Sequence, residues 1–169
     1  MGLAFRWTPS VTLLAVGVFL AAAPTANAAD LSDLLKKSSY AGAAEATKSG
    51  YKLKVGSGKE EVQVLVEPLD VEITGKKKEC IMISIMVKSL LTEPPADSPV
   101  WMKIAELNDF TILPLGSLCY AKYYNDKGVQ EGGDIWLTFY LPLDTANVAT
   151  LEDYIRHAHR KYVEFRFAF

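Results

Sequence analysis

Residues 80–87, Cys-Ile-Met-Ile-Ser-Ile-Met-Val, constrain the fold of this chain more than any other stretch. Strand side chains alternate between faces. Ile81, Ile83, Ile85 and Val87 therefore share one side, and Cys80, Met82, Ser84 and Met86 share the other. The Ile-rich side is expected to meet helices. What meets the other side is the main functional question the sequence raises.

Other strand signals surround this one. Tyr51 to Val55 alternates, Gly56-Ser57-Gly58 turns, and Glu61 to Val66 alternates again. Leu69 to Thr74 extends that second strand or forms a short one of its own. Lys76-Lys77-Lys78 follows Thr74-Gly75 and reads as a solvated turn. Two later strands are expected at about 115–124 and 134–141, joined by a hairpin loop with three glycines. On the last strand Ile135, Leu137, Phe139 and Leu141 share one face, and Trp136, Thr138 and Tyr140 the other.

Helix signals separate and flank these strands. Asp30 can cap a short helix carrying Leu31, Leu34 and Leu35, with Lys36-Lys37 in its last turn, where cations suit the dipole. Residues 41–48 are Ala-rich and favour neither state. Three prolines in residues 92–99 break the chain. Ser98 then caps a helix with Pro99 at its first position and a stripe of Val100, Ile104 and Leu107. The last helix starts near Asn147, or near Thr150 with Asp153 as a box-like cap. Its stripe is Leu151, Ile155, Ala158, Tyr162, Phe165 and Phe169, with Phe167 left off it. The order α-β-β-β-α-β-β-α predicts an α+β domain: an antiparallel sheet of about five strands with helices on one face.

The N-terminus supplies an address. One charge, Arg6, precedes an uncharged run from Val11 to Ala23, then Pro24 and Ala26-Asn27-Ala28. That is the pattern of an export signal, residues 1–28, cleaved near Ala28. The run is too short to span a hydrocarbon core of about 30 Å, so no transmembrane segment is expected after cleavage. An uncleaved anchor or a buried helix is the alternative. The remaining domain, 29–169, is expected to be periplasmic or secreted. Removing 28 of 169 residues leaves 141, with 17 Lys+Arg against 20 Asp+Glu. A weakly acidic domain is a poor nucleic-acid binder, which needs phosphate neutralisation.

Cys80 and Cys119 are the two cysteines. An even count in an oxidising compartment permits one disulfide; the alternative is two free thiols packed as small apolar residues. A bridge would place Ser117, Ala121 and Tyr123 beside Cys119 and leave Leu118 and Tyr120 for the core.

The element order, Leu107-Asn108 closing the second helix, the run Gly133-Asp-Ile-Trp-Leu137 and Leu141-Pro-Leu-Asp144 opening into a helix resemble the YbjN family of bacterial proteins. That family's fold is similar to the small dimeric chaperones of type III secretion. The resemblance covers roughly residues 30–165. It implies a protein-binding or regulatory module and gives no catalytic residues to carry over. The export signal departs from the cytoplasmic setting of secretion chaperones.

Reaction chemistry is hard to find. Gly56-Ser57-Gly58-Lys59 lacks the upstream Gly and the following Ser or Thr of a phosphate loop. His157 and His159 are two residues apart, about 200° on a helix, so they cannot chelate one metal there. Asn125, Asp126, Glu131 and Asp134 lack calcium-loop spacing. Ser57 and Ser117 lack a nucleophile-elbow context. No enzyme activity, cofactor or metal is expected.

The candidate surface is the second sheet face: Leu65, Met82, Met86, Trp136 and Tyr140, with Phe167 as a further contact. Either the middle helix and the Pro-rich segment cover it, or it meets a partner protein or a second copy of the chain. Two other readings stand beside this one. The ending Val163, Phe165, Phe167, Phe169 also alternates, as in a small outer-membrane β-barrel. An envelope enzyme with no recognisable motif is the other.

Overall fold

A computed structural model describes residues 26–73, 76–113, 115–124, 128 and 130–169. The expected export signal lies outside them except for its last three residues, and so do Asn125 and Asp126 of the acidic loop. The chain is α+β. Among the described residues three helices, α1 (Ala26–Lys37), α2 (Pro99–Leu107) and α3 (Val148–Phe165), accompany six strands. These are β1 (Ala44–Ala46), β2 (Tyr51–Val55), β3 (Val62–Ile73), β4 (Lys76–Leu90), β5 (Gly116–Tyr124) and β6 (Gln130–Pro142).

All strand pairs are antiparallel, in the order β1-β2-β3-β4-β6-β5. The sheet is open, with β1 and β5 as its edges. Six strands replace the expected five because β1 arises in the Ala-rich stretch. Thr47 holds that turn: its N–H donates to the Gly50 carbonyl, 2.9 Å, and its hydroxyl accepts from the Gly50 N–H, 3.0 Å.

Two local expectations change, and one choice the sequence left open is decided. Lys76-Lys77-Lys78 opens β4 rather than forming a turn, because Ile73, Glu72 and Val71 pair with them in register. Asp30 lies inside α1 (Ala26–Lys37) and does not cap it. Thr150 is not the helix start; Asn147 is, and the two close a reciprocal box. Asn147 Oδ1 accepts from Thr150 N at 3.0 Å, and Thr150 Oγ1 accepts from Asn147 N at 2.9 Å.

Pro68 is tolerated inside β3 because it lies past the end of β2. There β3 has a strand neighbour on one side, and a missing donor leaves no gap in a central ladder. Near the other end of β4 the register shifts between Met86 and Lys88, leaving Val87 as the extra residue of a bulge.

The core forms where the Ile-rich face meets the helices. Ile81, Ile83, Ile85, Leu137 and Phe139 pack with Leu31 and Leu35 of α1 and with Leu151, Ile155, Ala158 and Phe165 of α3. Each such aliphatic side chain contributes roughly 1.5–3 kcal/mol by leaving water. The stripe of the last helix docks as helix only through Phe165, where α3 ends; Tyr162 packs at the core's margin, and Phe169 packs there too but lies four residues past the helix. Ser98 caps α2 by accepting from the Val100 N–H, and Pro99 opens it. α2 lies on this same face: Leu107 joins the core, and Trp101 meets Tyr120 edge-to-face at 5.2 Å. Tyr120 shares its side of the sheet with Ile135 and Leu118 with Leu137.

Candidate partner-binding face

All three helices therefore lie on one side of the sheet. Among the described residues, no helix covers the other side. The Pro-rich segment does not reach it either. Trp101 Nε1 donates to the Pro95 carbonyl, 2.9 Å, and Glu93 pairs with Lys122 on the α2 side of β5.

Register sets the layout of the bare face. Met82 stands opposite Tyr140, Ser84 opposite Thr138, and Met86 opposite Trp136. Continuing outward, Thr138 faces Ser117 and Trp136 faces Cys119; on the other flank Leu65 faces Ser84. On β4 and β6, two rows of large side chains thus flank one row of short polar ones. Met86 and Tyr140 are 43% and 40% exposed, while Ser84 and Thr138 are 5% and 4% exposed. Height explains the contrast: short side chains between tall neighbours lose access to solvent without any covering layer.

Five of the six predicted contact residues share this face: Leu65, Met82, Met86, Trp136 and Tyr140. Phe167 does not join them. It follows α3 on the helix side, 83% exposed, with the Arg166 guanidinium 4.7 Å above its ring. Leu69 belongs to this face too and was missed by the sequence reading. It stands opposite Cys80 on the bare face and is 37% exposed. Extending the Leu65 alternation by two steps finds it. The rim beside β2 carries both signs, since Glu45 and Lys52 stand opposite one another and Lys54 and Glu67 lie on the same face.

The expected bridge between Cys80 and Cys119 is absent; both are free thiols. Cys80 faces Pro142 and Cys119 faces Trp136 on β6, which lies between β4 and β5. Six residues along a strand is about 20 Å, and two strand spacings add about 10 Å sideways. A disulfide tolerates a Cα separation of about 7 Å at most. Burial raises both thiols above their ordinary range, and a hydrogen bond with Thr138 lowers Cys119 in part. Burial also raises the Tyr140 phenol.

Chemistry elsewhere is sparse. His157 and His159 sit on opposite flanks of α3, as their spacing predicts. His157 meets Phe139 edge-to-face at 5.2 Å, and His159 Nε2 lies 2.8 Å from the Glu60 carbonyl oxygen. The stretch 56–59 is a hairpin turn: Gly56 and Gly58 have φ of 89° and 59°, and a 3-10 turn spans Gly58–Glu60. A depression of about 650 Å³ follows α3, lined by Val55, Phe139, His157 and Arg160 among others. Val55 and Phe139 are on strands three spacings apart, about 14 Å, so it is an open band around the helix rather than an enclosed ligand cavity. Among the described residues, no group of three or more His, Cys, Asp or Glu is arranged to hold a metal, and no helix is long and apolar enough to cross a membrane. No protein-family model matches the chain, and no curated protein matches it.

Proposed function

We propose that this chain is an exported, non-enzymatic binding module of the bacterial envelope that meets a protein partner through its bare sheet face. One observation carries the reading: Met86 and Tyr140 are substantially exposed beside Trp136 on a face that no described helix covers. Flexible Met and amphipathic aromatics are common currency of protein interfaces. The resemblance to the YbjN family, with its chaperone-like fold, points the same way. The barrel reading is less favoured, because β1 and β5 are unpaired edges and a barrel has none.

The test is a photo-cross-linking amino acid placed at Tyr140, with the exposed α3 residue Arg160 as the control position. A discrete adduct from position 140, absent from 160 and lost on Trp136→Asp, is expected. Adducts alike from both positions, or none from 140, reject the face. Address is tested separately. Osmotic shock is expected to release the domain, and recovery only in outer-membrane detergent extracts would overturn the periplasmic assignment.

A further inference from the structure

We infer that Asn108 plugs the long open edge of the sheet, and that the occupant it excludes is β5 of a second copy of this chain. The inference concerns the edge of β5, not the bare face. At that edge Leu118 turns its N–H and C=O away from β6, and both groups find Asn108. The Leu118 N–H donates to Asn108 Oδ1 at 2.6 Å, and Asn108 Nδ2 donates to the Leu118 carbonyl at 2.8 Å. Adjacent antiparallel strands exchange this same pair of bonds at alternate residues. The carboxamide therefore stands where one residue of a seventh strand would stand. Asn108 reaches it because α2 ends there: its own N–H bonds the Ile104 and Glu106 carbonyls, closing the helix.

The alternation continues beyond Leu118. Tyr120 and Lys122 present their backbone groups outward too, with no hydrogen-bond partner on that side among the described residues. An edge of nine residues is long enough to template another strand. Two copies of β5 related by a twofold axis can pair antiparallel with the axis at Tyr120, Ala121 or Lys122. With the axis at Tyr120, Leu118 faces Lys122 of the other copy; with it at Ala121, Leu118 faces Tyr124 and Tyr120 faces Lys122. No like charges oppose in either. Asn108 occupies Leu118 in each copy, so it removes the outer rungs of both registers. The register that uses no Leu118 rung centres on Lys122 and sets two lysines directly opposite, which destabilises the pair. One side chain from α2 thus shortens the good registers and leaves intact only the poor one.

The test compares wild type with Asn108→Ala and Asn108→Asp by sedimentation across a concentration series, with amide exchange read at Leu118 and Tyr120. Asn108→Ala is expected to double in mass at high concentration, with both amides becoming more protected as concentration rises. Asn108→Asp keeps the acceptor for the Leu118 N–H but loses the donor to its carbonyl, so it should associate less than Asn108→Ala and more than wild type. It also carries the test if the alanine variant does not fold. A folded variant that keeps wild-type mass, with exchange at both amides independent of concentration, overturns the inference. Self-association through the bare face would leave these two amides unprotected and is distinguished on that ground.

Discussion

Ser84 Oγ lies 3.3 Å from Thr138 Oγ1, linking β4 and β6 in the middle of the helix-free face. Thr138 also interacts with the Cys119 thiol. The hydroxyls are almost hidden, so removing one leaves the other to find a new partner. Thr138→Val, which strands two groups, is expected to cost about 1–2 kcal/mol, and Ser84→Ala under about 1. The double variant should cost less than the sum, since neither hydroxyl of the Ser84–Thr138 pair is then left without the other. Urea melts of the three proteins check this; strict additivity would argue against a coupled rung.

Asn147→Ala removes the box that starts α3. Ser, Thr, Asp or Asn to Ala at such a position costs about 1 kcal/mol, with a range of roughly 0.5–2. A midpoint shift in urea with unchanged slope is the expected result. Asn147→Asp should retain most of the stability, because its carboxylate still accepts from the Thr150 N–H.

Both cysteines should titrate as thiols. Denatured, unreduced protein is expected to react at two thiols per chain, because the register keeps Cys80 and Cys119 apart. In the folded protein both should alkylate slowly, as burial raises each thiol above its ordinary range and lowers the thiolate fraction. Zero reactive thiols in denaturant would require a different pairing of strands.

Burial, then the positive charges of Arg160 and Lys161, hold His157 below the ordinary imidazole range, 6.5. Its Nε2 is buried without a hydrogen-bond partner. The sign follows from linkage. A depressed histidine binds its proton more weakly folded than unfolded, so it contributes stability above about pH 6.5 that is lost as pH falls toward its folded value. Urea stability measured from pH 7.5 down to pH 5 should therefore fall less steeply in His157→Gln than in wild type. Equal slopes would show that the imidazole is not responsible.

The elements that periodicity makes visible are those whose burial is one-sided. Ile81, Ile83 and Ile85 mark β4, and the spacing from Leu151 to Phe165 marks α3, because each pattern is a direct image of which side meets the core. β1 has no such image. Ala44-Glu45-Ala46 is a strand because Leu53, Lys52 and Tyr51 pair with it, and nothing in three residues records that partner. The cysteines fail for the same reason. Cys80 and Cys119 do point to the same face, but their separation depends on which residues of β6 they stand against. The composition of the bare face was legible. Its bareness was not, because that required knowing that Trp101 turns α2 toward Tyr120.

α3 follows every described strand in chain order, and it covers parts of β3, β4 and β6 made before it. Until residues 148–165 have left the ribosome, Ile81, Ile83, Ile85, Leu137 and Phe139 have no α3 to pack against. Between the emergence of β6 and that of α3, the sheet thus has only α1 and α2 against its Ile-rich face. Completion of the core waits on α3, and a chain cut before Phe165 would be left with its core still open.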